Sequence, residues 1–271
     1  KSLGTNRHHN VIRATLDANG MARADGVHIR LMVTRGVKST PYQDPRFTIT
    51  PATIVIIAEY KTARPETLAQ GVRLYTVSTR RGRPDVQDQK WNSHSKLNCI
   101  SACIQAAQAG ADEALMLDPQ GFVATCNSTH FFVVRHPDGP AGPAEVWTST
   151  GDYCIAGITR RNVLRLCARN GLVAHEKNFT VTECYGATEA FVTGTFLNEV
   201  YRAPMAFEDG LEFGLYLIAL DDLIKRACGE RADQLLNKRR VLFALEHLHQ
   251  LECRGSKLNA LGGRFIKCPV D

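Results

Sequence analysis

The sequence predicts a mixed α+β chain organised as two domains, and three observations carry that expectation. Runs rich in β-branched residues at 28–33, 53–59 and 72–78 are bounded by Gly, Pro and charged turns, the pattern of half-buried strands. A stretch at 83–89 containing Pro84 and preceded by Gly82 interrupts that pattern and reads as a linker. Beyond it, helix-like and strand-like segments alternate with glycine stops, so a second unit builds a core of its own.

Taken in order, Val11, Ile12, Leu16 and Ala18 among polar residues predict a short helix that Asn19-Gly20 closes. The three strands follow and make most of one sheet, giving a first domain over residues 1–82. The segment 95–109 is helical in composition and ends at Gly110; 113–118, 122–125 and 131–135 are strands, with a hairpin turn at Asp118-Pro119-Gln120-Gly121. A helix at 159–170 stops at Gly171, and 189–193 is a further strand. This second domain spans 90–210. In 211–271 the pattern changes: Leu215, Ile218, Leu223 and Ile224, then Leu235, Leu236, Leu242, Leu245 and Leu248, are spaced for two amphipathic helices.

With 271 residues and 44% hydrophobic content, the chain can bury a substantial core. No apolar run approaches the ~18 residues of a membrane span, and no hydrophobic secretory segment opens the sequence, so an intracellular, cytoplasmic protein without a membrane partner is expected. Nine cysteines without a paired framework read as reduced thiols. Cys99 and Cys103, one helical turn apart, have no companion pair to make a metal site, and buried thiols are expected there. The net charge of +6 is modest and dispersed. Arg80-Arg81-Gly82-Arg83 lacks interleaved aromatics and reads as a solvated turn, so nucleic acid is not indicated. The sequons Asn127-Ser128-Thr129 and Asn178-Phe179-Thr180 carry no weight without a secretory signal.

The chemistry lies between Lys90 and Thr195. A lysine after a strand can condense with an aldehyde, and the turns Gly157-Ile158-Thr159-Arg160 and Thr193-Gly194-Thr195 offer backbone N–H groups and hydroxyls for a phosphate. Together they suggest pyridoxal 5′-phosphate. Singly, each has an ordinary explanation: a surface lysine, a routine helix cap at Thr159, a strand-ending turn at Gly194. Lys96, on the first turn of the expected helix, is the alternative amine.

Order and spacing add to this. From Gln87-Asp88-Gln89-Lys90 through Ala111-Asp112-Glu113-Ala114-Leu115-Met116-Leu117-Asp118 and Gly121-Phe122-Val123 to Gly157-Ile158-Thr159-Arg160 and Glu189-Ala190-Phe191-Val192-Thr193-Gly194-Thr195, the chain resembles the class IV aminotransferases, the branched-chain and D-amino-acid transaminase family. Upstream, 28–36 is similar to a strand lining that family's substrate pocket. The resemblance implies a fold-type IV, two-domain pyridoxal-phosphate enzyme with its first domain incomplete, lacking an upstream phosphate-binding arginine, and an atypical C-terminus. It further implies that Lys90 forms the Schiff base; that Gly157, Ile158, Thr159, Gly194 and Thr195 hold the phosphate; and that Arg35, or Arg30, receives a substrate carboxylate. Thr125 and His130 align where the family carries a glutamate bonded to the pyridine nitrogen and an asparagine. That departure weakens the electron sink. Transamination between a branched-chain-like amino acid and a 2-oxo acid, in a homodimer, is the implied activity. A lyase of the aminodeoxychorismate-lyase type and an inactive binding remnant stand beside it.

Overall fold

The computed structural model describes residues 5–61, 71–139, 142–194, 200–202, 205–206 and 212–213. The chain divides into two units, one holding residues 1–62 and 249–271 and the other residues 63–248. In the first unit, helix α1 (Thr5–Ala18) precedes β1 (Val27–Thr34) and β2 (Thr53–Tyr60), which pair antiparallel from Val27↔Tyr60 to Thr34↔Thr53. Ile12 and Leu16, four residues apart on α1, are its buried apolar side chains, and the helix lies against β2.

The second unit stacks four layers. One sheet has the order β12-β11-β3-β4-β5, from β3 (Leu74–Thr76), β4 (Glu113–Leu117), β5 (Val123–Cys126), β11 (Met205–Ala206) and β12 (Glu212–Phe213). The other runs β10-β9-β6-β7-β8, from β6 (His130–Arg135), β7 (Glu145–Thr148), β8 (Val173–Glu176), β9 (Glu189–Thr193) and β10 (Val200–Arg202). Leu115, Leu117 and Val123 of the first sheet meet Phe131, Val133 and Val192 of the second in one buried cluster. The alternate residues face outward onto helices. Ala114 and Met116 pack on Ala102 and Ala106 of α2 (Leu97–Gln108), while Phe132, Val134 and Phe191 pack on Val163 and Cys167 of α3 (Ile158–Arg169). Both faces of β4 to β6 are thus covered, and for that reason their sequences are almost wholly apolar.

Each helix is the crossover of a parallel pair: β3 reaches β4 through α2, and β7 reaches β8 through α3. Parallel strands need such a long connection. A short helix, α4 (Val181–Tyr185), begins with a capping box in which Thr180 Oγ1 accepts from Glu183 N and the Glu183 carboxylate accepts from Thr180 N. No helix among the described residues is long and apolar enough to cross a membrane.

Several expectations are revised. Residues 63–82 group with the second unit instead of the first, because β3 extends the sheet of β4. Arg81 is 5% exposed, against the solvated turn expected there. Of the two α2 cysteines expected to be buried, Cys99 is half-buried and Cys103 exposed, since Ala102 and Ala106 occupy the inward face. The helices expected between 215 and 251 lie outside the described residues.

Candidate active site

The first turn of α3 and the loop between β5 and β6 meet in the second unit. Gly157 is the N-cap of α3, with extended backbone, and as a glycine it puts no capping side chain on the free N–H groups that open every helix. A Cβ at Gly157 would lie 2.2 Å from His130 Nε2. Only glycine lets the imidazole close over this helix start. His130 opens β6 and pairs in register with Thr193 on β9. Thr193 Oγ1 is wholly buried and has no hydrogen-bond partner among the described residues. The next residue, Gly194, faces Thr129, whose Cγ2 is 3.2 Å from where a Cβ would stand. The structure therefore brings Gly157, Ile158, Thr159, His130 and Gly194 into one neighbourhood. Thr195 lies outside the described residues.

Two buried arginines set the electrostatics. Arg160, on the first turn of α3, donates through Nη2 to Ser149 O at 2.6 Å and to Glu176 Oε2 at 2.7 Å, while its Nε has no partner among the described residues. Arg81 donates through Nε to Tyr153 O at 2.9 Å and through Nη1 to Cys99 Sγ at 2.8 Å. Burial, with Arg160 and then Arg81 nearby, pushes the His130 imidazole down to about 4, so it is neutral at physiological pH. Stability should follow. In the unfolded chain this histidine takes up a proton below its ordinary value of 6.5, whereas the folded protein resists it until about 4, so stability falls as pH drops through that window. Relative to His130→Asn, the wild type is expected to lose an extra ~2 to 3 kcal/mol between pH 7 and 4.5 in denaturant titrations; parallel pH curves for the two proteins would refute this.

A cavity of ≈ 70 Å³ opens beside the β5–β6 loop, with Arg81, Trp91, Lys96, Cys99, Thr125 and His130 in its wall. Thr125 Oγ1 donates to Thr129 O at 2.8 Å, which commits its single proton. Toward anything in the cavity, this hydroxyl offers lone pairs. Lys96, the N-cap of α2, reaches Asn92 Oδ1 at 3.3 Å. Lys90 sits on a turn fixed by its own amide donating to Asp88 Oδ1 at 2.9 Å, and its Nζ pairs with Asp152 Oδ1 at 3.3 Å. That side chain is half exposed and does not line the cavity, although its neighbours Gln89 and Trp91 do. Asp152 belongs to the loop that runs into Gly157, so the Lys90 amine reaches the approach to α3. Arg30 and Arg35 belong to the first unit, both exposed; Arg35 Nη1 donates to Gln43 O at 3.3 Å.

Sequence reasoning missed Arg81 and read Arg160 only as part of a turn. Arginines within basic or helix-starting runs give no signal of burial, and only the tertiary contacts reveal it. For a phosphate-bearing group the donor set fits: an uncapped helix start without a Cβ, a buried hydroxyl without a partner on Thr193, and two buried guanidinium groups.

The comparisons with known proteins say which family carries this fold and this helix start. The family model of amino-transferase class IV matches residues 3–200. The chain belongs to that family. It is 36% identical over 200 residues to branched-chain-amino-acid aminotransferase-like protein 2 of Arabidopsis thaliana, covering 74% of this chain and 34% of that protein. With the branched-chain-amino-acid aminotransferase of Pseudomonas aeruginosa it shares 37% identity over 150 residues, 55% of this chain and 46% of the relative. Among solved structures, the T.th. branched-chain amino acid aminotransferase with pyridoxamine 5′-phosphate superposes with a TM-score of 0.70 at 25% identity, covering 89% of this chain and 75% of that one. The chain spans about a third of the length of the Arabidopsis relatives it matches.

Proposed function

We propose that this chain carries the pyridoxal 5′-phosphate site of an aminotransferase that moves an amino group from a branched-chain-like amino acid to a 2-oxo acid. The observation that supports it is the closure of His130 over Gly157 at an uncapped helix start, beside the unpartnered Thr193 hydroxyl, in a member of the class IV family. The Ile158 and Thr159 amides and the Thr159 hydroxyl would hold the phosphate together with the Gly194 turn. When bound, the cofactor supplies the aldehyde that carries the amino group and the ring that accepts electrons from Cα. Lys90 would receive that aldehyde and then move the proton between the substrate Cα and the cofactor. Its pairing with Asp152 keeps the amine over the loop that leads to Gly157.

Adding pyridoxal 5′-phosphate should produce a visible absorption band, and adding leucine, isoleucine or valine with 2-oxoglutarate should then yield glutamate. No band and no glutamate would remove the reading. Thr125 favours one other outcome: standing where the family carries a glutamate, it brings no negative charge to keep a pyridinium protonated. Pyruvate released from an amino-substituted acid without any acceptor, well beyond one equivalent per site, would mark the lyase reaction instead.

We further read the active form as a homodimer. The exposed face of α2 is apolar, with Leu97 77%, Ile100 54% and Ile104 54% exposed, and the helix has no charged residue. A helix in water normally puts charge on that face. Two copies could meet there without the like-charge repulsion that a net charge of +6 would otherwise cause. Light scattering should give twice the 29.9 kDa chain mass for the wild type and the single mass for Ile100→Glu; a monomeric wild type would contradict this.

A further inference from the structure

Glu113, the first residue of β4, is 6% exposed and does not line the cavity, yet it is bonded to two residues of the loop that does. Its Oε1 accepts from Ser128 N at 2.8 Å and Ser128 Oγ at 2.7 Å, and its Oε2 accepts from Thr129 Oγ1 at 2.8 Å. Asn127 completes the attachment: its Oδ1 accepts from Ala114 N at 2.7 Å, and its own N–H donates to Ala114 O at 3.1 Å. Three donors converging from one turn call for an acceptor-only group with two oxygens, which among side chains means a carboxylate. Burial pushes the Glu113 carboxyl up, and the bonds from Ser128 and Thr129 oppose that rise without cancelling it.

Thr129 passes this constraint on. Its hydroxyl is held by Glu113, its carbonyl accepts from both Thr125 Oγ1 and Cys126 N, and its methyl fills the space beside Gly194. We propose that Glu113 is a positioning residue: through Thr129 it sets the Thr125 hydroxyl and the Gly194 turn on either side of His130. The inference deepens the function proposed above and rests on it for its catalytic meaning. The geometric link from Glu113 to Gly194 can be tested without the cofactor.

Amide hydrogen exchange of the full chain, with and without pyridoxal 5′-phosphate, tests it in Glu113→Gln, Glu113→Ala and Thr129→Val. Glu113→Ala should speed exchange at Ser128, Thr129 and Gly194 by roughly tenfold or more while leaving Val133 in the core unchanged. Cofactor affinity, read from the absorption band, should weaken by roughly tenfold in Glu113→Ala and less in Glu113→Gln, whose carbonyl still accepts from Ser128. Glu113→Ala and Thr129→Val both remove the Glu113–Thr129 bond, so the double variant should be no weaker than the worse single one. A purely structural role would instead lower stability while leaving exchange at Gly194 and cofactor affinity unchanged. If Glu113→Ala fails to fold, the Thr129→Val exchange pattern decides. Unchanged exchange at Gly194 in every variant, or fully additive penalties, overturns the proposal. A wild type that never binds the cofactor overturns the proposed function, and the exchange data still report on Glu113.

Discussion

Lys90→Ala is expected to abolish the cofactor absorption band and to lower transamination by about 10³-fold or more, since a side chain that moves the Cα proton commonly contributes 10²- to 10⁴-fold by that role alone. Lys96→Ala is expected to keep both the band and most of the rate. The contrast is informative because the two amines stand in different surroundings: Lys96 borders the cavity that holds Thr125 and His130, whereas Lys90 is tethered to Asp152 on the loop entering α3. For Lys90 to serve, that exposed ion pair must exchange for the bound aldehyde. Exposed pairs are worth at most about 1 kcal/mol, so the exchange costs little. The reverse result, a colourless Lys96→Ala beside a coloured Lys90→Ala, would transfer the role to Lys96.

Gly157→Ala should be the most damaging single-methyl change in the second unit. The backbone there, at φ −70° and ψ 138°, suits any residue, so the penalty comes from space alone. The added Cβ would meet His130 Nε2 at 2.2 Å and Cδ2 at 2.8 Å, distances that no side chain tolerates. His130 is backed by β9 and must leave its rotamer. Overpacking of this kind costs about 1 to 3 kcal/mol, which for a unit of this size lowers Tm by roughly 3 to 10 °C. Cofactor affinity should fall with it, because the clash between the new methyl and the imidazole disturbs the helix start. Shortening the opposing side chain in Gly157→Ala/His130→Asn should restore part of both. Equal melting and equal affinity for Gly157→Ala and wild type would show that the imidazole does not occupy this space.

Much of the architecture was readable from pattern. Strands 27–34, 53–60 and 130–135 and helices 97–108 and 158–169 coincide with apolar runs closed by glycine or by turn residues. What escaped was short or unannounced by polarity. β7 follows a Pro- and Gly-rich loop, and β8 is a four-residue strand whose meaning comes only from its parallel partner. The capping box at Thr180 and Glu183 was present as a local signal and went unread. In the site, Gly157 and His130 were legible by position, but the imidazole lying over the glycine was not, since it depends on the register of β6 against β9. Arg81, Arg160 and Glu113 are charged residues with ordinary neighbours in sequence. Their burial comes from contacts made by loops far away along the chain.

One topological detail bears on how the polypeptide matures. Met205 of β11 hydrogen-bonds beside Leu74 of β3, on the side away from β4. While the ribosome is still adding the intervening residues, the outer rim of that early strand stays open, a ready template for pairing with a neighbouring nascent chain. Release of translation products halted before Met205 should therefore give aggregates, and the same products carried past Phe213 should remain dispersed.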